Sequence, residues 1–178
     1  YCSKQGGSSR YNPRDAFHNF PFPSNYLKIS DELGIEFYHF RSDMQLRNNL
    51  GLTKLYNEFH SKYPNNFLDH SDLEKLRNYH KLIDQICLEQ YGWHEDSEKW
   101  GKAVQLRHDF YEVDYLPEND RVRYTIHPDA RKEVLKRLLL LNHERFEEEV
   151  AQGLHKREDV EAYYQQKGKS IPEGTVFS

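Results

Sequence analysis

The sequence predicts a mainly α-helical (α+β) domain, bundle-like, with one β-hairpin and an extended N-terminal strap. Three observations lead to this fold class. Apolar residues recur every three or four positions in several long segments, which is typical of amphipathic helices. One segment near residues 108–127 alternates apolar and polar residues on either side of a turn, as a hairpin does. The run "FPFP" at residues 20–23 cannot be helical, because its prolines lack backbone N–H donors.

The N-terminal region predicts no helix. Residues 1–10 are polar and rich in glycine and serine, so we expect a loop or a frayed end. In the strap that follows, Phe17, Phe20 and Phe22 should project from an extended backbone. Two interpretations are open: an apolar strap packed on a neighbouring helix, or a hinge between a preceding domain and the rest of the chain.

Two helices should follow, separated by a sharp break. Ser30 can cap a helix over residues 31–48, whose first turn carries two acids that suit the helix dipole. Two asparagines and Gly51 end it, and the apolar spacing restarts over residues 52–60. A polar loop containing Pro64 comes next.

The strongest helical pattern in the chain lies between residues 71 and 91. Ser71-x-x-Glu74 has the form of a capping box, and Gly92 is suited to end the helix in a left-handed conformation. The period then changes. Residues 110–115 and 121–126 alternate around the turn sequence "PEND", which predicts a hairpin with a loop of about four or five residues.

The last long helix should begin at Pro128, which fits the first helical position, and end near Gly153 after roughly 25 residues. Residues 155–166 can form one more helix, and residues 167–178 read as a tail. The charges of the long helix oppose its dipole. Its N-terminal half carries Arg131, Lys132, Lys136 and Arg137, and its C-terminal half carries Glu144, Glu147, Glu148 and Glu149. Either an acidic partner docks at the basic end, or a neighbouring helix supplies salt bridges.

Composition limits the function classes. The chain has 178 residues with 25 Lys+Arg and 29 Asp+Glu, a net charge of -4, which disfavours a stand-alone nucleic-acid-binding domain but permits a local basic patch. Cys2 and Cys87 have no zinc spacing, no secretory signal is present, and no apolar run approaches ~20 residues. We therefore expect a cytoplasmic protein without a membrane partner. Because the chain begins with Tyr1 and its only methionine is Met44, we interpret it as a piece of a longer polypeptide.

Motifs for catalysis are missing. There is no glycine-rich nucleotide fingerprint, no nucleophile elbow and no histidine pair at metal-ligand spacing. His39 with Asp43, and His80 with Asp84, lie one helical turn apart and could act as acid–base pairs, although such pairs are usually simple contacts. We predict no catalytic, cofactor-binding or metal-binding residue in this chain.

Four blocks of sequence nevertheless resemble one family in collinear order: "YNPRDAFHNFPFP", "RNNLGLTKLYNEFH", "LEKLRNYHKLIDQICLEQYGW" and "VRYTIHPDARKEVLKRLLLLNHERFEEEVAQGL". They are similar to the C-terminal region of large adenine-specific DNA methyltransferases of restriction-modification systems, the type IIG-like methylases. The similarity covers residues 11–154.

The resemblance implies that this chain and the catalytic core are separate regions of one parent protein, with different roles. Residues 1–25 would be the exit segment of a target-recognition domain, residues 26–153 a helical domain containing the hairpin, and residues 154–178 a short helix and tail. In that family S-adenosylmethionine binds a glycine-bearing Rossmann-like turn, and the flipped adenine meets an Asn-Pro-Pro-Tyr/Phe motif. The single Asn-Pro step, Asn12-Pro13, departs from that motif, so no residue of this chain is assigned to catalysis or cofactor binding.

Three hypotheses follow. The chain is a DNA-associated support for target recognition, a structural module that braces the methylase core without touching DNA, or, least favoured, an independent enzyme. The first predicts contacts to DNA phosphates from the break between the first two helices, from the hairpin and from the basic half of the long helix. The candidates are Arg47, Asn48, Asn49, Thr53, Lys54, Arg121, Arg123, Arg131, Lys132, Lys136 and Arg137. The structural interpretation of the break is preferred: an asparagine caps the outgoing helix, Gly51 permits the turn, and Lys54 is solvated.

Overall fold

The computed structural model describes residues 2–5, 8–11, 20–23, 31–65 and 68–178. Their elements, in chain order, are β1 (Cys2–Gln5), β2 (Ser8–Tyr11), α1 (Asp31–Asn48), α2 (Leu52–His60), α3 (His70–Tyr91), β3 (Asp109–Glu112), β4 (Val122–Thr125), α4 (Pro128–Ala151) and α5 (Arg157–Gln166). The predicted fold class, mainly α with a β-hairpin, is confirmed. The predicted cap of α1, Ser30, lies outside the described residues. No helix among the described residues is long and apolar enough to cross a bilayer.

The first ten residues depart from their prediction. We expected a loop or frayed end, but β1 pairs with β2 in antiparallel register from Cys2 opposite Tyr11 to Gln5 opposite Ser8. Gly6 and Gly7 fall between the two strands in the sequence. A Gly-Gly pair between two short strand segments often indicates a hairpin. The prediction missed it because the flanking residues do not alternate between apolar and polar.

The chain forms two compact units. The larger unit comprises Pro23–Val134, and the smaller unit comprises Tyr1–Phe22 together with Leu135–Ser178. The predicted domain boundaries after residues 25 and 153 stay predictions.

Residues of α1, α2, α3 and β4 form the core of the larger unit. Met44, Leu55 and Leu76 are completely buried, and Leu73 is 2% exposed. Aromatic rings extend the core: Phe59 packs edge-to-face on Tyr124 at 5.5 Å. The apolar spacing of the three helices places these side chains on one face of each helix, which is why the sequence pattern located the helices correctly.

Arg77 lies inside this core and holds the end of α2 against α3. Its guanidinium donates to the carbonyl oxygens of Phe59, at 3.2 and 3.0 Å, and of Ser61, at 3.0 Å. A further nitrogen bonds Glu74 at 2.9 Å. Because the last carbonyls of a helix have no intrahelical partner, this side chain acts as a cap supplied by a neighbouring helix.

The start of α3 corrects the predicted capping box. Asp69, not Ser71, is the N-cap, and its carboxylate accepts from the Ser71 backbone N–H at 2.8 Å. That bond lowers the pKa of Asp69 below its usual value. With Asp69 as the N-cap, Glu74 lies beyond the N3 position that a capping box requires, and it pairs with Arg77. At the other end Gly92, with φ +67°, ends the helix as predicted.

The hairpin lies where the sequence placed it, but its loop is longer than predicted. β3 pairs with β4 from Asp109 opposite Thr125 to Glu112 opposite Val122. Nine residues, 113–121, connect the strands, because a 3-10 turn at Glu118–Asp120 takes up the sequence that predicted a tight turn. The prediction of four or five loop residues is therefore wrong.

The smaller unit contains an apolar cluster around the end of α4 and the helix α5. This C-terminal cluster consists of Val150, Val160 and Tyr164, packed against Phe146, Tyr163, Ile171 and Phe177. The predicted helix at 155–166 is confirmed as α5. Residues 167–178 contain no helix or strand, but they contact the rest of the smaller unit. The Ser178 N–H donates to the His155 carbonyl at 3.0 Å.

The strap is described at residues 20–23, and its Phe17 lies outside the described residues. The Phe22 N–H donates to the Phe20 carbonyl at 2.9 Å, which closes a γ-turn around Pro21. The two rings therefore meet edge-to-face at 4.9 Å instead of alternating along an extended chain. Arg145 of α4 donates to the Phe22 carbonyl oxygen, so the described part of the strap packs on a helix.

Candidate nucleic-acid interface

The corner between α1 and α2 is made by Asn49, not by Gly51. Asn49 has φ +49°, its N–H donates to the Leu46 carbonyl at 3.3 Å, and the Leu50 N–H donates to the Gln45 carbonyl at 3.0 Å. These two bonds define a Schellman ending with asparagine in the left-handed position. Gly51 has φ -75° and ψ 162°, which any residue can adopt. The expectation that Gly51 permits the turn is wrong.

Two of the candidate phosphate ligands have local partners at this corner. Arg47 pairs with Asp72 at 3.2 Å and more loosely with Asp43 at 3.8 Å, which ties the end of α1 to the first turn of α3. The Asn48 amide donates to the Met44 carbonyl at 2.8 Å. As predicted, an asparagine side chain thus serves the outgoing helix.

The first turn of α2 is open to solvent. Thr53 and Lys54 are exposed, the turn contains no acidic residue, and no side chain among the described residues caps it at Gly51. The first N–H groups of a helix lack intrahelical acceptors and carry a partial positive charge. With an ammonium group in the same turn, this end of α2 is suited to an anion.

The hairpin brings Arg123 to the opposite end of α2. Arg123 pairs with Asp120 at 3.1 Å, and its side chain is 22% exposed. The Nε of Arg121 is buried and makes no hydrogen bond among the described residues. The sequence marked both arginines as candidates, but it did not place Arg123 beside the end of α2.

A cleft of about 390 Å³ separates the C-terminal end of α2 from β4. It is lined by Asn57, His60, Ser61, Lys62, Tyr63, Asp120, Val122 and Arg123. Tyr63 stands at this cleft with 82% of its surface exposed. Sequence reasoning treated "KYPNNFLDH" only as a loop. The adjacent cation and aromatic ring, Lys62-Tyr63, were the signal that could have marked it.

His60 in the wall of this cleft is held neutral. Burial, the charge of Arg123 and the neighbouring His80 lower its pKa from 6.5 to about 4, and Arg77 acts in the same direction. A hydrogen bond with the Tyr124 backbone opposes the shift but does not cancel it. Any positive charge that the cleft offers at neutral pH therefore comes from its lysine and arginine.

The basic residues of α4 differ in accessibility. Lys132 and Lys136 are exposed, while Arg131 donates to the Thr125 hydroxyl at 3.3 Å. Arg137 is only 3% exposed, so its guanidinium is not accessible to a DNA phosphate, contrary to its selection from the sequence. In the acidic half, Glu147 pairs with Lys167 at 3.3 Å. The acidic half of α4 therefore has a salt-bridge partner within the chain, as the second explanation for its charge pattern requires.

The two histidine–aspartate pairs proposed from sequence find other partners. Asp84 binds His108 at 2.7 Å, and His80 contacts the Tyr56 hydroxyl at 3.2 Å. Burial lowers the pKa of His80. Asp43 binds Arg47, and His39 lies along an apolar groove of about 560 Å³ between α1 and α3. Within the described residues, no three metal-ligating side chains converge.

No protein-family model, curated protein or solved structure matches this chain.

Proposed function

We propose that this chain is a DNA-associated, non-catalytic region of an adenine-specific DNA methyltransferase of the restriction-modification type. The four collinear sequence blocks support the family. The observation that carries the DNA role is the open first turn of α2, where Thr53 and Lys54 are exposed beside uncapped N–H groups. Methyl transfer and S-adenosylmethionine binding belong to the methylase core of the parent protein, which acts in the cytoplasm.

The open turn of α2 suits the DNA backbone rather than the bases. Backbone N–H groups and a lysine bind phosphate oxygens without regard to sequence, and such contacts fix the position of a protein on the duplex. A support for a target-recognition domain needs this property, because the recognition domain reads the sequence while the support sets its register.

Further phosphate contacts come from exposed lysines elsewhere in the chain. Lys132 in the first turns of α4 is exposed and is our second main ligand. The net charge of -4 restricts attraction to such local patches. Binding should therefore be oriented and sensitive to salt.

Salt-dependent anisotropy with duplex DNA tests this proposal. Lys54→Gln and Lys132→Gln should each weaken binding uniformly across sequences and reduce the slope of log K against log salt by about 1. Lys156→Gln, which removes an exposed lysine before α5, is the matched control and should leave the slope unchanged. An intact chain that shows no salt-sensitive binding to duplex DNA would contradict the proposal.

A second candidate function is supported by the exposed leucines of α4. Leu135, Leu139 and Leu140 are 58%, 54% and 46% exposed. Large apolar side chains that are exposed close together often mark a protein interface. In this alternative the chain braces the methylase core and never contacts DNA.

Co-purification with the methylase core separates the two functions. If the chain is a brace, Leu139→Glu should abolish capture of the core, while charge reversal at the exposed Lys132 should leave DNA affinity unchanged. If the chain is a DNA support, the Lys132 change should lower DNA affinity and the leucine change should not.

A further inference from the structure

We propose that the cleft between the C-terminal end of α2 and β4 holds one unpaired DNA nucleotide, with its base stacked on Tyr63 and its phosphate bound by Lys62 and Arg123. The inference rests on the proposed DNA function and deepens it, because it adds a site for a nucleotide outside the duplex. The cleft has a volume of about 390 Å³, which is within the range of small-ligand pockets, about 300–1,000 Å³.

Tyr63 is held so that its ring stays available. Its backbone N–H donates to the Ser61 hydroxyl at 3.2 Å, and Pro64 restricts the chain that follows. The residue as a whole is 82% exposed. A base inside a duplex has both faces covered by its neighbours, so stacking on this ring favours a base that has left the stack. Such stacking tolerates any base.

The charges in the cleft favour a phosphate. Lys62 and Arg123 face a single acid, Asp120, which bonds one nitrogen of Arg123 at 3.1 Å and is itself 59% exposed. A guanidinium has five N–H donors, so this pairing leaves others for a ligand. The lining therefore carries one positive charge in excess.

The end of a helix would ordinarily oppose an anion here, since its terminal carbonyls carry partial negative charge. In this structure Arg77 binds the carbonyls of Phe59 and Ser61 and places a full positive charge behind them. Arg77 therefore offsets part of the negative potential at this end of α2 from inside the core, although Glu74 shares its charge. A phosphate in the cleft meets a helix end that repels it less than an uncapped end would.

Anisotropy with a short oligothymidylate and with duplex DNA tests the assignment. Tyr63→Ala should weaken binding of the single strand about tenfold, the loss expected for one stacked base, and leave duplex affinity unchanged. Tyr63→Trp should preserve binding. The matched control is Tyr115→Ala, because Tyr115 is 79% exposed on the hairpin loop and does not line the cleft. Equal effects of the two alanine variants would overturn the proposal.

The phosphate contact has its own readout. Lys62→Gln should reduce the salt slope for the single strand by about 0.7, whereas Lys156→Gln should not. In NMR titrations, the bound oligothymidylate should raise the pKa of His60 from about 4, because a phosphate offsets the field of Arg123. An unchanged His60 titration at saturating oligothymidylate would refute the phosphate contact.

Failure of this proposal is distinguishable from failure of the DNA function. If Lys54→Gln and Lys132→Gln alter duplex binding while Tyr63→Ala changes nothing, the cleft assignment is wrong and the duplex contact stands. If the intact chain binds neither form of DNA, both are wrong.

Discussion

The core of the larger unit and the C-terminal cluster of the smaller unit differ in how deeply the charged groups beside them are buried. In the larger unit Glu58 and Arg77 are 3% and 7% exposed and every described bond they make is internal. Glu58 receives two bonds from Asn65, at 2.7 and 3.0 Å, which shape the loop after α2. In the smaller unit the ion pair beside the C-terminal cluster lies at its rim, with Glu147 42% and Lys167 25% exposed.

This contrast predicts different vulnerabilities. A buried charge is expensive to leave without partners, so the larger unit should respond strongly to loss of a polar group and to pH. The C-terminal cluster should respond to loss of packing and only weakly to loss of charge. Trp93 and Trp100, the two tryptophans of the chain, both lie in the larger unit, so their fluorescence reports on that unit.

The largest effect is expected for Arg77→Met. The change leaves the carbonyls of Phe59 and Ser61 without their donors, and it removes a partner from the half-exposed Glu74. The free energy of unfolding should therefore fall by about 2–4 kcal/mol. Urea denaturation followed by tryptophan fluorescence measures it. Arg77→Lys keeps the positive charge but loses the planar array of guanidinium donors, so its loss of stability should be intermediate. If Arg77→Met changes stability by less than Val160→Ala below, the contrast between the units fails.

Acid should destabilise the larger unit through its buried histidines. The folded pKa of His60 is about 4 and that of His80 is also lowered, chiefly by burial, while an unfolded histidine titrates near 6.5. The unfolded state therefore binds protons first as pH falls, so stability is complete above pH 6.5 and decreases toward pH 4, by about 2–3 kcal/mol. Asp84 opposes the shift of His80 and moderates its share.

The measurement is the urea midpoint against pH for the intact chain and two variants. His60→Gln should reduce the decrease of the urea midpoint between pH 6.5 and 4. His94→Gln, which changes an exposed histidine of the same unit, should leave the decline intact. Identical pH profiles for all three proteins would show that His60 is not the group responsible.

Sequence periodicity located the helices because burial of one face determines where they form. It missed the features that depend on neighbours distant in sequence. Arg77 falls on an apolar helix face, and nothing local shows that it caps α2, eighteen residues earlier. Asp69 and Ser71 both suit an N-cap, so the sequence alone could not show that Asp69 is the cap of α3.

The candidate site was predicted only in part, for the same reason. Charged residues could be chosen from sequence, but their accessibility could not: Arg137 is buried, whereas Lys54 is exposed. The cleft is formed by a loop after α2 and a strand sixty residues later. Neither segment shows by itself that they meet.

Loss of packing should dominate in the C-terminal cluster. Val160 is completely buried there, and Val160→Ala removes two methyl groups, which should lower the stability of this cluster by about 2 kcal/mol. Hydrogen exchange of the α5 amides measures the loss, and the tryptophan transition should hardly move. Val176→Ala, at a position that is 66% exposed, is the control and should change exchange little. A tryptophan transition that shifts as much as the exchange would remove the energetic distinction between the units.

The smallest effect is expected for Glu147→Gln. Glu147 accepts from Tyr163 at 3.1 Å and pairs with Lys167 at 3.3 Å, and these bonds lower its pKa although partial burial opposes them. Glutamine keeps an acceptor for Tyr163 and loses only a solvent-screened ion pair, so the stability of the C-terminal cluster should fall by about 0.5 kcal/mol. Salt should reduce this difference further, because screening already weakens the native pair. Exchange of the α5 amides at low and high salt measures both effects. A loss comparable to that of Arg77→Met would mean that the rim pair acts as a buried one, and the distinction drawn between the two clusters would not hold.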